Sequence, residues 1–138
     1  MFNIEKRKLY VGCSLTHAPE SFRNDVEHVK ETLSKDWEVM QFLGLTAGTA
    51  ADVYNYDIRN NVATCEAFLA IVDLPSLGLG YEIGAAVERY NKPILLTAHR
   101  DAKVSRLIIG ITEEHPTVSF APYENMLTDV PMLVRQYL

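Results

Sequence analysis

Two hydrophobic periods alternate along the chain, and together they predict a parallel α/β domain. Residues 9–14 form an apolar run that reads as a first strand. Pro19 then suits the first turn of a helix, where its missing N–H costs nothing. Phe22, Val26, Val29 and Leu33 follow at helical spacing and mark one buried stripe. Residues 37–43 alternate, with Trp37, Val39 and Gln41 opposite Met40 and Phe42, and predict a second strand. Residues 44–50 read as a loop, and Thr49 with Asp52 forms a capping box that starts a second helix. The stripe of that helix is Tyr54, Ile58, Val62 and Cys65.

Residues 68–72 are continuously apolar, as expected of a central parallel strand covered on both faces. A glycine-rich turn follows, leading into a helix over residues 81–89. Lys92-Pro93 introduces a fourth strand at 94–97, and residues 103–111 predict a short helix closed at or soon after Gly110. A fifth strand at 117–120 precedes a C-terminal helix over 124–138, in which Pro131 is an irregularity. Strands alternating with helices imply right-handed βαβ units. The expected fold is a flavodoxin-like three-layer α/β sandwich, with a five-stranded parallel sheet in the order 2-1-3-4-5. Its ligand edge is the switch point between strands one and three. The loops meeting there are residues 12–19 and 75–84.

The 138 residues fit one domain spanning 1–138, and 48% are apolar, which excludes disorder. Thirteen basic against eighteen acidic residues give a net charge of -5, which argues against a nucleic-acid polymer as partner. Cys13 and Cys65 suit neither a disulfide framework nor a zinc site and read as reduced, buried thiols of a cytoplasmic protein. His17, His28, His99 and His115 are scattered, so no metal site is expected. The N-terminal residues lack a signal-peptide pattern, and no run is long enough for a membrane span.

The candidate chemistry gathers at the predicted switch point. The run Pro75-Ser76-Leu77-Gly78-Leu79-Gly80-Tyr81-Glu82-Ile83-Gly84 joins an anion-binding turn to a carboxylate in the first turn of a helix. The glycines follow strand three and are one residue too widely spaced for a dinucleotide fingerprint, so an NAD site is excluded. The helix dipole is expected to keep Glu82 ionised, which suits a nucleophile toward a sugar anomeric carbon. Glycoside chemistry needs a second carboxyl group. Asp57 is the best candidate, with Asn61 one turn further on the same face; Asp73 competes for the same role from the correct strand end, its alternative being to fix the loop through a turn hydrogen bond. Ser14, Thr16, His17 and Ser76 offer hydroxyl and N–H donors to a phosphate, although such residues more often cap locally.

Leu9-Tyr10-Val11-Gly12-Cys13-Ser14, the run from Pro75 to Gly84, and Lys92-Pro93-Ile94-Leu95 resemble the nucleoside 2-deoxyribosyltransferase superfamily. Within it they look most like the 2′-deoxynucleoside 5′-phosphate N-hydrolases and the related CMP hydrolases. The resemblance implies that Glu82 is the nucleophile and that Asp57 orients or protonates the leaving base. It places Tyr10 at the sugar, and Ser14 and Ser76 at the 5′-phosphate, beside the backbone of Gly78 and Gly80. It implies that Ser105 reaches the phosphate site of a neighbouring subunit, hence a homodimer with shared sites, and that neither metal nor cofactor is required. Thr16 and His17 stand where the phosphate-specific enzymes carry an arginine, a charge that Arg106 would supply instead. The expected activity is hydrolysis of the N-glycosidic bond of (2′-deoxy)nucleoside 5′-monophosphates. Base exchange on deoxynucleosides and a non-catalytic nucleotide-binding module are the alternatives.

Overall fold

The computed structural model describes residues 5–43 and 46–138. Its elements are β1 (Lys8–Cys13), α1 (Glu20–Leu33), β2 (Glu38–Val39), α2 (Ala50–Tyr54, continued as a π-helix over Asn55–Val62), β3 (Ala67–Ile71), α3 (Leu77–Gly84, continued as a π-helix over Ala85–Arg89), β4 (Ile94–His99), α4 (Arg106–Glu114), β5 (Val118–Tyr123) and α5 (Met126–Tyr137). The five strands are all parallel and lie in the order β2-β1-β3-β4-β5. This is the expected order, with the switch point between β1 and β3.

Strand pleating sorts the core into two halves. Leu9, Val11 and Cys13 of β1, with Leu69 and Ile71 of β3, pack against Val26, Val29 and Leu33 of α1 and Val130 and Val134 of α5. Tyr10, Phe68, Ala70 and Leu96 face the other way, toward Ile58 and Val62 of α2 and Leu79 and Ile83 of α3. Gly12 faces that second layer too. A Cβ there would lie 2.8 Å from Leu79 Cδ1 and 3.1 Å from Phe68, so the missing side chain lets α3 close onto β1.

Several expected boundaries move, each for a physical reason. Pro19 occupies the position preceding α1, not its first turn. The second strand shrinks to two residues. Met40 N–H still donates to Leu9 O at 2.9 Å, but the Gln41 carbonyl then accepts from Asn61 Nδ2 at 3.0 Å. A side chain of α2 thus replaces the sheet as partner, and the segment peels away. The predicted alternation survives, because Trp37 and Val39 pack on one layer and Met40 and Phe42 on the other.

The capping box forms, with Asp52 N–H donating to Thr49 Oγ1 at 3.1 Å. Gly44 and Leu45 of the predicted loop lie outside the described residues. Tyr54 is 38% exposed instead of joining the stripe, while Asn61 is buried. The wider turn of the π-helix breaks the 3.6-residue period on which the stripe was projected. Helix α4 runs past Gly110 to Glu114, because Ile111 continues the face that Ile108 begins. β5 extends to Tyr123 and tolerates Pro122 because it is an edge strand. Pro131 lies within α5.

Candidate active site at the carboxyl edge of the sheet

The largest local correction concerns the run from Pro75 to Gly84. Helix α3 starts at Leu77, so Gly78 and Gly80 lie inside it and form no turn. Ser76 is its N-cap, and the Ser76 hydroxyl oxygen accepts from Leu79 N–H at 3.2 Å. That bond leaves the hydroxyl hydrogen free to donate elsewhere. Neither glycine has positive φ, and a Cβ at either position would meet nothing within 4 Å. They therefore leave space rather than permit an unusual backbone. Gly78 lies four residues before Glu82, on the same helix face.

Glu82 falls in the second turn of α3, not the first, and points at β1. It is only 9% exposed. The Tyr10 hydroxyl donates to its Oε2 in a short, buried hydrogen bond. Burial pushes the Glu82 carboxyl up to about 7, with the neighbouring Asp57 adding to the rise and the Tyr10 bond opposing it. The expectation of a dipole-stabilised, fully ionised carboxylate is thus corrected. Desolvation outweighs a helix dipole that fades within the first turn.

Tyr10 is fully buried, and its ring is gripped edge-on by Phe68 at 5.1 Å and Phe42 at 5.9 Å between centroids. Burial, then Glu82, raises the phenol far above its ordinary range, so it remains a proton donor. Asp57 is half-buried on α2, and burial raises its carboxyl too. Its Oδ1 is buried without a partner among the described residues. The structure therefore brings Tyr10, Glu82 and Asp57 together at the switch point: one carboxyl with a fixed donor, a second with an uncommitted oxygen.

The remaining expected residues divide into groups. Ser14 is buried one residue beyond β1, and Thr16 is exposed in the loop that follows. His17, Ser76, Gly80 and Ser105 line one cavity of about 570 Å³ between the starts of α3 and α4. Ser105 occupies the N-cap position of α4 but makes no capping bond, so its hydroxyl is uncommitted. It shares this cavity with Ser76 of its own chain. The cation lining the cavity is Lys103, and Arg106 is not among the lining residues.

Asp73 takes the loop-fixing role. Its Oδ2 accepts from His99 N–H at 3.0 Å and from the Tyr123 hydroxyl at 2.6 Å, tying β3 to β4 and β5. Cys13 and Cys65 are free and buried. Among the described residues no group of three or more His, Cys, Asp or Glu side chains could hold a metal ion, and no helix is long and apolar enough to cross a membrane. Sequence reasoning missed Phe42, which packs on Tyr10, and Lys103, which lines the cavity, as parts of the site. The only available signal was for Phe42, which shares a strand face with Met40.

No protein-family model matches the sequence, and no curated protein is a significant match. Solved structures do match. The chain is similar to a CMP N-glycosidase, BcmB, from Clostridium botulinum, with a TM-score of 0.70 and 19% identity over 96% of this chain and 100% of that one. It is also similar to a 2-desoxiribosyltransferase from Leishmania mexicana, with a TM-score of 0.63 and 14% identity over 96% of this chain and 99% of that one. The chain thus has the nucleoside 2-deoxyribosyltransferase-like fold, a three-layer α/β architecture with sheet order 2-1-3-4-5.

Proposed function

We propose that the protein is an N-glycosidase that releases the base from (2′-deoxy)nucleoside 5′-monophosphates, leaving (deoxy)ribose 5-phosphate. The observation that carries this reading is the buried Tyr10 to Glu82 bond with Asp57 beside it. A glutamate held through one oxygen by a phenol presents the other to an anomeric carbon. Glu82 attacks that carbon, the C–N bond breaks, and its electron pair leaves with the base. Asp57, whose carboxyl burial shifts upward, passes a proton to the departing base in this reading. Water then attacks the same carbon, Asp57 takes its proton, and the Glu82 ester bond breaks, for net retention.

In this reading the phosphate lies toward Ser14, Ser76 and Ser105, with the N-terminal backbone of α3 at Gly78 and Gly80. Leu77, which is 97% exposed, and the exposed Leu107 line the rim of that cavity and suit burial in a homodimer. The free thiols suit the cytoplasm. A chromatographic screen for free base, run over ribo- and deoxyribonucleoside monophosphates and the matching nucleosides, tests the reading. Glu82→Ala must abolish release. Light scattering of the wild type beside Leu77→Asp tests the dimer.

A second reading is base exchange on unphosphorylated deoxynucleosides. The largely apolar lining of the cavity around Ser76 favours it. Adding a free acceptor base to the same screen separates the two, since only a transferase forms the new nucleoside.

A further inference from the structure

Lys30 is 5% exposed, although lysine is almost never buried without a strong partner. Its carboxylate contact is Glu27 Oε1 at 3.3 Å, and that glutamate is largely exposed. Burying an ammonium costs several kcal/mol, and a leucine would fill the same volume without that cost. The compensating contact is the ring of Phe42, whose centroid lies 4.6 Å from Lys30 Nζ. Phe42 follows the truncated β2, so no sheet partner fixes it. Its ring meets Tyr10 edge-on, at 82°. Lys30 also lies close enough to influence the Cys13 thiol, which Glu82 influences in turn.

We propose that Lys30 is a positioning residue for the Tyr10 and Glu82 pair, acting through the Phe42 ring. The ammonium holds a ring that lies beyond the strand's ladder, and the ring holds the phenol on the carboxylate. This rests on the glycosidase reading for its kinetic consequence, but not for its structural one.

The titratable groups that act on Glu82 are Tyr10 of β1 and Asp57 of α2, and Cys13 lies on the opposite face of β1. The Tyr10 bond favours ionised Glu82, so loosening it must raise the titration midpoint. The test is a carboxyl-carbon NMR titration of Glu82 in the wild type, Lys30→Met, Lys30→Arg and Phe42→Leu, beside kcat and KM for base release. Lys30→Met is expected to raise the midpoint by about half a unit or more and to lower kcat about tenfold, with KM little changed. Lys30→Arg restores both, because a guanidinium also stacks on a ring. Phe42→Leu reproduces the Lys30→Met midpoint and serves if that variant does not fold. An unchanged midpoint in folded Lys30→Met or Phe42→Leu overturns the proposal, as does a loss confined to KM. A wild type that releases no base defeats the glycosidase reading alone, because the titration still decides the role of Lys30.

Discussion

The hydroxyl of Tyr10 on β1 donates to Oε2 of Glu82 on α3, across the switch point of the sheet. Phe68 of β3 and Phe42, beyond β2, both meet the Tyr10 ring edge-on. Losing the phenol removes the one contact among the described residues that favours ionised Glu82. Tyr10→Phe is therefore expected to lower base release at neutral pH about 10- to 100-fold, the worth of a charge-assisted bond. Steady-state rates on the best monophosphate check it.

Glu82 must be ionised to attack, and its carboxyl lies at about 7. Base release is expected to climb through an ascending limb near neutrality, instead of being flat above pH 5. In Tyr10→Phe the same limb moves to higher pH. A kcat/KM profile from pH 5 to 9 decides both points, because it reports the free enzyme.

The same shift has a stability consequence of opposite sign. The folded-state value of Glu82 is raised from 4.5 to about 7, so the folded protein holds this proton more tightly than the unfolded chain. Its contribution favours folding below pH 4.5 and is lost as pH rises through 7. Glu82→Gln keeps the shape and an acceptor for Tyr10 but carries no charge. The variant is expected to be inactive yet more stable at pH 8, by on the order of 2–3 kcal/mol. Urea unfolding of both proteins at pH 5 and pH 8 measures this, and the gap must shrink at the lower pH.

The sheet was legible because its strands are buried apolar runs, and the edge holding Glu82 and Asp57 followed from the strand order. The alternation of Trp37, Val39, Met40 and Phe42 reported which way each side chain faces. It carried no information about the backbone ladder, which Asn61 interrupts. Glycines in sequence favour a turn, and Gly78 and Gly80 read as one. The Ser76 cap and the burial of Leu79 and Ile83 override that preference. Tyr54 was misassigned to the buried stripe because periodicity assumes a regular α-helix, whereas α2 widens. Lys30 and Lys103 were invisible for a simpler reason. A lysine in a sequence reads as a solvated surface charge, and only the fold shows that Lys30 is buried and that the exposed Lys103 lines a cavity.

Gly78 separates the cost to folding from the cost to function. Nothing lies within 4 Å of the position a Cβ would take, so the first side-chain atom meets no obstacle in the folded protein. Replacing a helical glycine should stabilise by about 0.5–1 kcal/mol. Gly78→Leu is nonetheless expected to lose base release almost entirely, because its side chain projects from the same face of α3 as Glu82, one turn before it. Thermal unfolding beside a rate measurement checks this, and a variant with raised Tm and full activity would remove the site from that face of α3.

Lys103 should decide the preference for a phosphorylated substrate. It lines the cavity with Ser76, Ser105 and His17, whereas Arg106 is absent from that lining. A phosphate seated there gains an ammonium partner, and a nucleoside lacking the phosphate gains nothing from it. Lys103→Ala is expected to raise KM for monophosphates about tenfold, leaving kcat and the rate on unphosphorylated nucleosides unchanged. Arg106→Ala should leave every value near wild type. Added salt should weaken monophosphate binding in the wild type and much less in Lys103→Ala, since the attraction lost is electrostatic. Equal losses on both substrate classes would move the phosphate away from this cavity, toward Ser14 and the β1–α1 loop.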